Sequence, residues 1–181
     1  MSRPKRRTTA LVVVDVQHDV VDGHFHRDEV VAAIGGLVER ARAAGAPILW
    51  IQHSDEGMPI GSWEWEIVPE LAVAVGEPIV PKIYGDAFED TELDGLLAER
   101  GVREVVIVGG QSDACIRSTL HGAFARGYDT TLVADAHTGP DRTSDGGPTA
   151  EQIIALTNRY WSRHTGVGRV ARVLASHEVT F

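Results

Sequence analysis

Cysteine is nearly absent: the chain has one, Cys115, among 181 residues. A single thiol cannot close an internal disulfide, so the fold has to hold through its own core. Basic residues are also in deficit, with 17 Lys and Arg against 26 Asp and Glu and a formal net charge of -9. An average surface of that sign repels nucleic acid and anionic membranes, which leaves small molecules as the expected partners. No apolar run is long enough to span a bilayer and no secretory apolar segment is evident, so a cytoplasmic location is expected. No repeat, low-complexity tract or linker divides the chain. The expectation is one domain over residues 1–181, with residues 1–8 a solvated basic tail.

What the chain does contain is a series of short aliphatic runs alternating with helical patterns. Ala10 to Val14, Pro47 to Gln52, Glu77 to Pro81, Val105 to Val108, Thr130 to Ala134 and Val170 to Leu174 read as six strands. Val30, Ile34, Leu37, Val38 and Ala41 share one helical face, with Asp28 as the expected cap and Gly45 as the stop. Leu93, Leu96 and Leu97 follow a Thr91–Asp94 capping pair, and another helix runs from near Ser112 to Gly127. Thr149 is placed to cap a last helix carrying Ile153, Ile154, Leu156 and Tyr160. This order predicts an α/β fold built on right-handed crossovers, a mostly parallel sheet with helices on both faces. His53 to Pro69 interrupts the pattern with a long loop. Its Trp63 and Trp65 are candidates for a pocket wall, a subunit contact or cover for the core edge.

Three reactive side chains fall at predicted strand ends: Asp15 after the first, Lys82 after the third and Cys115 after the fourth. In a parallel sheet, ligands bind beyond the carboxyl ends of the strands. Taken singly, Asp15 also reads as a turn cap, Lys82 as a surface charge and Cys115 as a small core residue. Together they read as a site. A thiol in the first turn of a helix is expected to favour thiolate, because unpaired N–H groups and the helix dipole face it.

At LVVVDVQHD, VPKIYGDAF and VVIVGGQSDACIRST, followed by a strand ending ADAHT, the chain resembles the isochorismatase-like cysteine hydrolases. That superfamily includes nicotinamidases, N-carbamoylsarcosine amidases and ureidoacrylate amidohydrolases. The resemblance implies a three-layer, Rossmann-like α/β/α fold and an Asp-Lys-Cys triad on Asp15, Lys82 and Cys115. It implies a cis peptide between Gly110 and Gln111, and an oxyanion hole from the backbone N–H groups of Gln111 and Cys115. The implied activity is hydrolysis of a C–N bond in a small amide, imide or ureido compound, by a homodimer or larger homo-oligomer. Trp63, Trp65, Tyr84 and Phe88 are the candidate substrate wall; Val20 stands where many relatives carry an aromatic, and His137 ends strand five near the site. No cofactor is expected. The metal-binding Asp-x-His of nicotinamidases is reversed here as His53, Ser54, Asp55, and Asp22, His24 and His26 are a second possible ligand group. The alternatives are a metal-assisted hydrolase with a passive cysteine, or a weakly catalytic member serving assembly or ligand sensing.

Overall fold

The computed structural model describes residues 8–181, so the tail expected at residues 1–7 lies outside the described residues, while Thr8 already belongs to a strand. The strands are β1 (Thr8–Val14), β2 (Ile48–His53), β3 (Ile79–Lys82), β4 (Val102–Gly110), β5 (Asp129–Thr138), β6 (Thr165–Gly166) and β7 (Arg169–Leu174). They form one sheet in the order β3-β2-β1-β4-β5-β7-β6. Every pairing is parallel except β6 with β7. The sheet thus has seven strands rather than the expected six. The extra one, β6, is two residues long and too short to carry a hydrophobic pattern.

The helices are α1 (His18–Val21), α2 (Arg27–Ala44), α3 (Leu93–Glu99), α4 (Cys115–Ala125) and α5 (Ala150–Trp161). Side chains along β1 alternate between two cores, as the pleat requires. Leu11 and Val13 pack with Val30, Ile34 and Leu37 of α2, whereas Ala10, Val12 and Val14 pack with Leu97 of α3 and Ile116 and Leu120 of α4. The result is the three-layer α/β/α arrangement.

Helix ends follow local chemistry where nothing competes. Gly45 closes α2 at φ 68° and donates to the carbonyls of Ala41 and Arg42, and Thr149 with Gln152 forms a capping box on α5. Two expected caps are corrected. Arg27, bound by Asp22 and Glu70, starts α2 directly after His26, so Asp28 lies inside the first turn and makes no cap. Thr91 donates to the Ala87 carbonyl and accepts from the Leu93 N–H, while Asp94 takes the Tyr128 hydroxyl at 2.7 Å, so the two form no capping box. Likewise α4 begins at Cys115, three residues beyond Ser112.

From β1 the chain crosses to β2 on one side, and from β4 it crosses to β5 on the other, which opens a crevice beyond the carboxyl ends of β1 and β4. Those two ends touch. Val14 pairs with Gly109, and a Cβ on Gly109, which has φ 121°, would lie 1.9 Å from the Val14 carbonyl oxygen. Only glycine fits a left-handed conformation at that approach. Gly109→Ala is therefore expected to cost at least ~2 kcal/mol of stability. Chemical denaturation measures this, and a loss below ~0.5 kcal/mol would show that the strands separate freely there.

Candidate active site

Asp15 follows β1 directly and takes φ 49°, a left-handed conformation uncommon for a residue other than glycine. That bend turns its carboxylate under the crevice, where the residue is fully buried. Lys82 ends β3 with its side chain completely shielded, and its Nζ lies 2.7 Å from Asp15 Oδ2. The same Nζ is 3.3 Å from Cys115 Sγ, 3.1 Å from His53 Nδ1 and 3.0 Å from the Tyr84 carbonyl oxygen. The fold therefore brings Asp15, Lys82 and Cys115 together from three separate elements. No well-aligned hydrogen bond reaches either oxygen of Asp15, so the pair is held by proximity of charge.

The electrostatics follow from burial. Loss of water pushes the Asp15 carboxyl above its ordinary range, and the Lys82 cation opposes that shift without cancelling it. Burial, followed by the negative charge of Asp15, pushes the Cys115 thiol up to about 11, again against Lys82. This corrects the expectation that the helix start favours thiolate. Dipole and lysine together are outweighed by desolvation and by a carboxylate alongside. At neutral pH the resting sulfur holds its proton.

Before α4 the chain makes the turn from Gly110 to Ala114, and the peptide Gly110–Gln111 is cis. Ala114 and Ile116 both donate to the Gln111 carbonyl, whereas the N–H groups of Gln111 and Cys115 find no acceptor among the described residues. Two free donors flanking a thiol can hold an oxyanion. Arg142 accompanies this turn, with Nη2 3.1 Å from Gln111 Oε1 and Nε 3.4 Å from Asp113 Oδ2. Val20 packs against Gly110, where an added Cβ would meet its Cγ1 at 2.8 Å.

The aromatic candidates separate. Trp63 is 58% exposed and stacks on His18 at 4.1 Å, and Tyr84 is 49% exposed beside the lysine it bonds through its carbonyl. Trp65 is half-buried against the α2-side core, and its carbonyl accepts from both Gln17 and Gln52. Phe88 is turned into the opposite core, stacked on Tyr128 with the Arg126 guanidinium over its ring, so it forms no open wall. His137 is buried between Ser112 and Asn158, bracing the turn before α4 instead of facing the crevice.

Two positions gain weight beyond the sequence reading. Gln17 is fully buried and clamps His53 through both its N–H and its carbonyl. His53 then lies between Lys82 and Asp55, whose Oδ2 is 3.3 Å from Nε2. The available signal was register: His53 and Lys82 end neighbouring parallel strands and pair directly. Among the described residues no group of three or more His, Cys, Asp or Glu side chains is arranged to hold a metal ion. His24 and His26 lie apart in their contacts, His26 facing Glu29 at 3.4 Å.

Comparison with known proteins identifies the family. The isochorismatase domain model matches residues 9–147. The chain is 32% identical over 160 residues to streptothricin hydrolase of Streptomyces noursei, covering 85% of this chain and only 64% of that protein. It is 29% identical to ureidoacrylate amidohydrolase RutB of Pseudomonas syringae, covering 86% of this chain and 78% of the relative. A crystal structure of an isochorismatase from Pseudomonas putida superposes with a TM-score of 0.86 at 25% identity, covering 98% of this chain and 94% of the other. A domain match over most of the chain, on a fold that carries Asp15, Lys82 and Cys115 to one crevice, places this protein in the isochorismatase family.

Proposed function

We propose that the protein is a cysteine hydrolase that cleaves a C–N bond of a small amide, imide or ureido compound through a thioester on Cys115. The observation that carries the reading is the lysine between base and sulfur, with Lys82 Nζ 2.7 Å from Asp15 and 3.3 Å from Cys115. The relatives named as amidohydrolase and hydrolase support the reaction class.

In this reading Asp15 accepts the Cys115 proton as sulfur attacks the carbonyl carbon. The new oxyanion is stabilised by the N–H groups of Gln111 and Cys115. As the C–N bond breaks, Asp15 returns the proton to the leaving nitrogen. A thioester remains. Asp15, ionised again, takes a proton from water, hydroxide adds to the thioester, and the acid leaves as the proton returns to sulfur. Lys82 stays charged throughout and balances whichever of Asp15 and Cys115 is negative. Tyr84 and Trp63, exposed near this edge, are the proposed substrate wall, with Trp65 contributing as a backbone anchor. Homo-oligomer contacts are assigned to the Trp63 loop and the exposed Leu156 and Tyr160 of α5. A reduced, cytoplasmic setting suits a free thiol nucleophile.

Two outcomes test this. In intact-mass spectrometry with a panel of small amides, imides and ureido acids, a productive substrate leaves an acyl adduct on the wild-type chain and none on Cys115→Ala. Asp15→Asn lowers its turnover by roughly 10²–10⁴-fold. Hydrolysis retained by Cys115→Ala would exclude the thioester route. The pH dependence has a fixed sign, because the base must be ionised: kcat/KM falls as pH drops through the raised Asp15 pKa. The acid limb should therefore lie above the ordinary aspartate value of 3.8. A limb at or below that value would show that a different group accepts the proton.

A further inference from the structure

A hollow separate from the crevice lies between α4 and α5, bordered by the loop that follows β5. Its volume is about 320 Å³, and none of Asp15, Lys82 or Cys115 lines it. Helical spacing explains its shape. Ile153, Leu156, Thr157 and Tyr160 share one face of α5, and Arg117 and Leu120 share the facing side of α4. Leu120, Ile153 and Trp161 are buried and form an apolar floor. Neither helix fills the space above that floor. Thr157 is short and folds its hydroxyl back onto the Ile153 carbonyl at 2.8 Å, while Arg117 runs out over the Tyr160 ring, 5.8 Å from its centre.

The charges around the hollow do not balance. Its charged lining groups are Asp113, Arg117 and Arg142. Asp113 is engaged by Arg142 at 3.4 Å, and among the described residues no carboxylate pairs with Arg117. On a chain of net charge -9, this hollow keeps an unpaired cation. Arg142 also has donors left, because among the described residues its side chain bonds only Asp113 and Gln111, whereas a guanidinium carries five N–H groups.

We propose that the hollow is a binding site for a small carboxylate with an aromatic or branched aliphatic body. The body lies on Leu120, Ile153 and Trp161, and the carboxylate pairs with Arg117, helped by the unused N–H groups of Arg142. Carboxylate and guanidinium match as planar, bidentate partners. A mostly apolar lining with a few polar groups at one end is the usual form of a small-molecule site, and the volume falls within the ~300–1,000 Å³ such sites span. Inorganic anions would leave the floor uncovered, and a neutral apolar compound would leave Arg117 unpaired. The site stands whether or not Cys115 is the nucleophile. Leu156 and Tyr160, exposed at the mouth, are also assigned above to self-association, so a second copy of the chain is the competing occupant. Such a copy would have to bring its own carboxylate to Arg117 or bury that charge unpaired.

The experiment is isothermal titration of the full chain with phenylacetate, with acetate and phenylethanol as controls for the two halves of the ligand. Sedimentation velocity on the same samples reads the state of association. Phenylacetate should bind saturably, and each control at least roughly tenfold more weakly. Arg117→Gln and Leu156→Glu, both at exposed positions, should each weaken phenylacetate binding by roughly tenfold or more, and Arg117→Lys by less. Melting temperatures without ligand should match wild type. Unchanged affinity in both Arg117→Gln and Leu156→Glu would put the ligand elsewhere, the crevice included, and overturn the proposal. So would the absence of saturable binding. Binding that emerges only once Leu156→Glu has dispersed an assembly would give this face to self-association and overturn it as well.

Discussion

The buried pairing of Asp15 with Lys82 is the constraint on which the rest of the site depends. Two charged groups with no solvent contact are costly to desolvate, and their attraction offsets that cost without adding much net stability. Removing either partner leaves the other buried and uncompensated, typically at ~3–5 kcal/mol. The pair therefore ties distant parts of the chain together. In the sheet order, β2 separates β3 from β1, so Lys82 must reach across the end of β2 to meet Asp15. His53 occupies that end, and Gln17, two residues beyond Asp15, fixes it there. The carboxyl edge of the sheet is built from β1, β2 and β3 as one unit.

The fourth member of that edge is β4, and its approach is set by backbone rather than by side chains. Gly109 lets β4 close onto the last carbonyl of β1, and Gly110 lets Val20 of α1 close over the turn that follows. Arg142 reaches that turn from a loop after β5, while Ser112 is braced by His137 and, through it, Asn158 of α5. The two free N–H groups beside the sulfur are thus held from three sides. A donor pair that does not reorganise as charge develops stabilises an oxyanion far better than water does.

How much of this the sequence disclosed depends on the range of the interaction. Hydrophobic period and strand-end position are local properties, and they located the strands, the crossover order and the places of Asp15, Lys82 and Cys115. Apart from β6, which is too short to show a pattern, the main misreadings involve partners far along the chain. Asp94 left its capping role because Tyr128 offers a hydroxyl, and Arg27 entered the helix because Glu70 neutralises it. Phe88 sits beside the Lys82 motif, which made it a plausible wall, yet Tyr128 and Arg126 from the far end of α4 bury it. The Cys115 error is of the same kind: the helix start is local, while the desolvation and the Asp15 charge that outweigh it come from the assembled sheet.

That last reversal has a consequence for how the site handles charge. In the resting form of the proposed reaction, with the thiol protonated, Asp15 negative and Lys82 positive, the buried cluster carries no net charge. Shifting the proton from sulfur to Asp15 leaves one cation and one anion, so the sum is unchanged and the negative charge only moves between two neighbours of the same ammonium. By contrast, ionising the thiol while Asp15 stays anionic would bury a second negative charge against a single lysine, and the raised thiol pKa reflects that cost. Burial therefore suppresses a free thiolate, while the proton transfer of the proposed reaction leaves the charge balance of the cluster unchanged. The acid side obeys the same balance, since protonating Asp15 while sulfur keeps its own proton leaves Lys82 unbalanced. With Lys82 charged, only two charge states of the three groups keep the cluster neutral, and they correspond to the resting form and the attacking form of the proposed reaction.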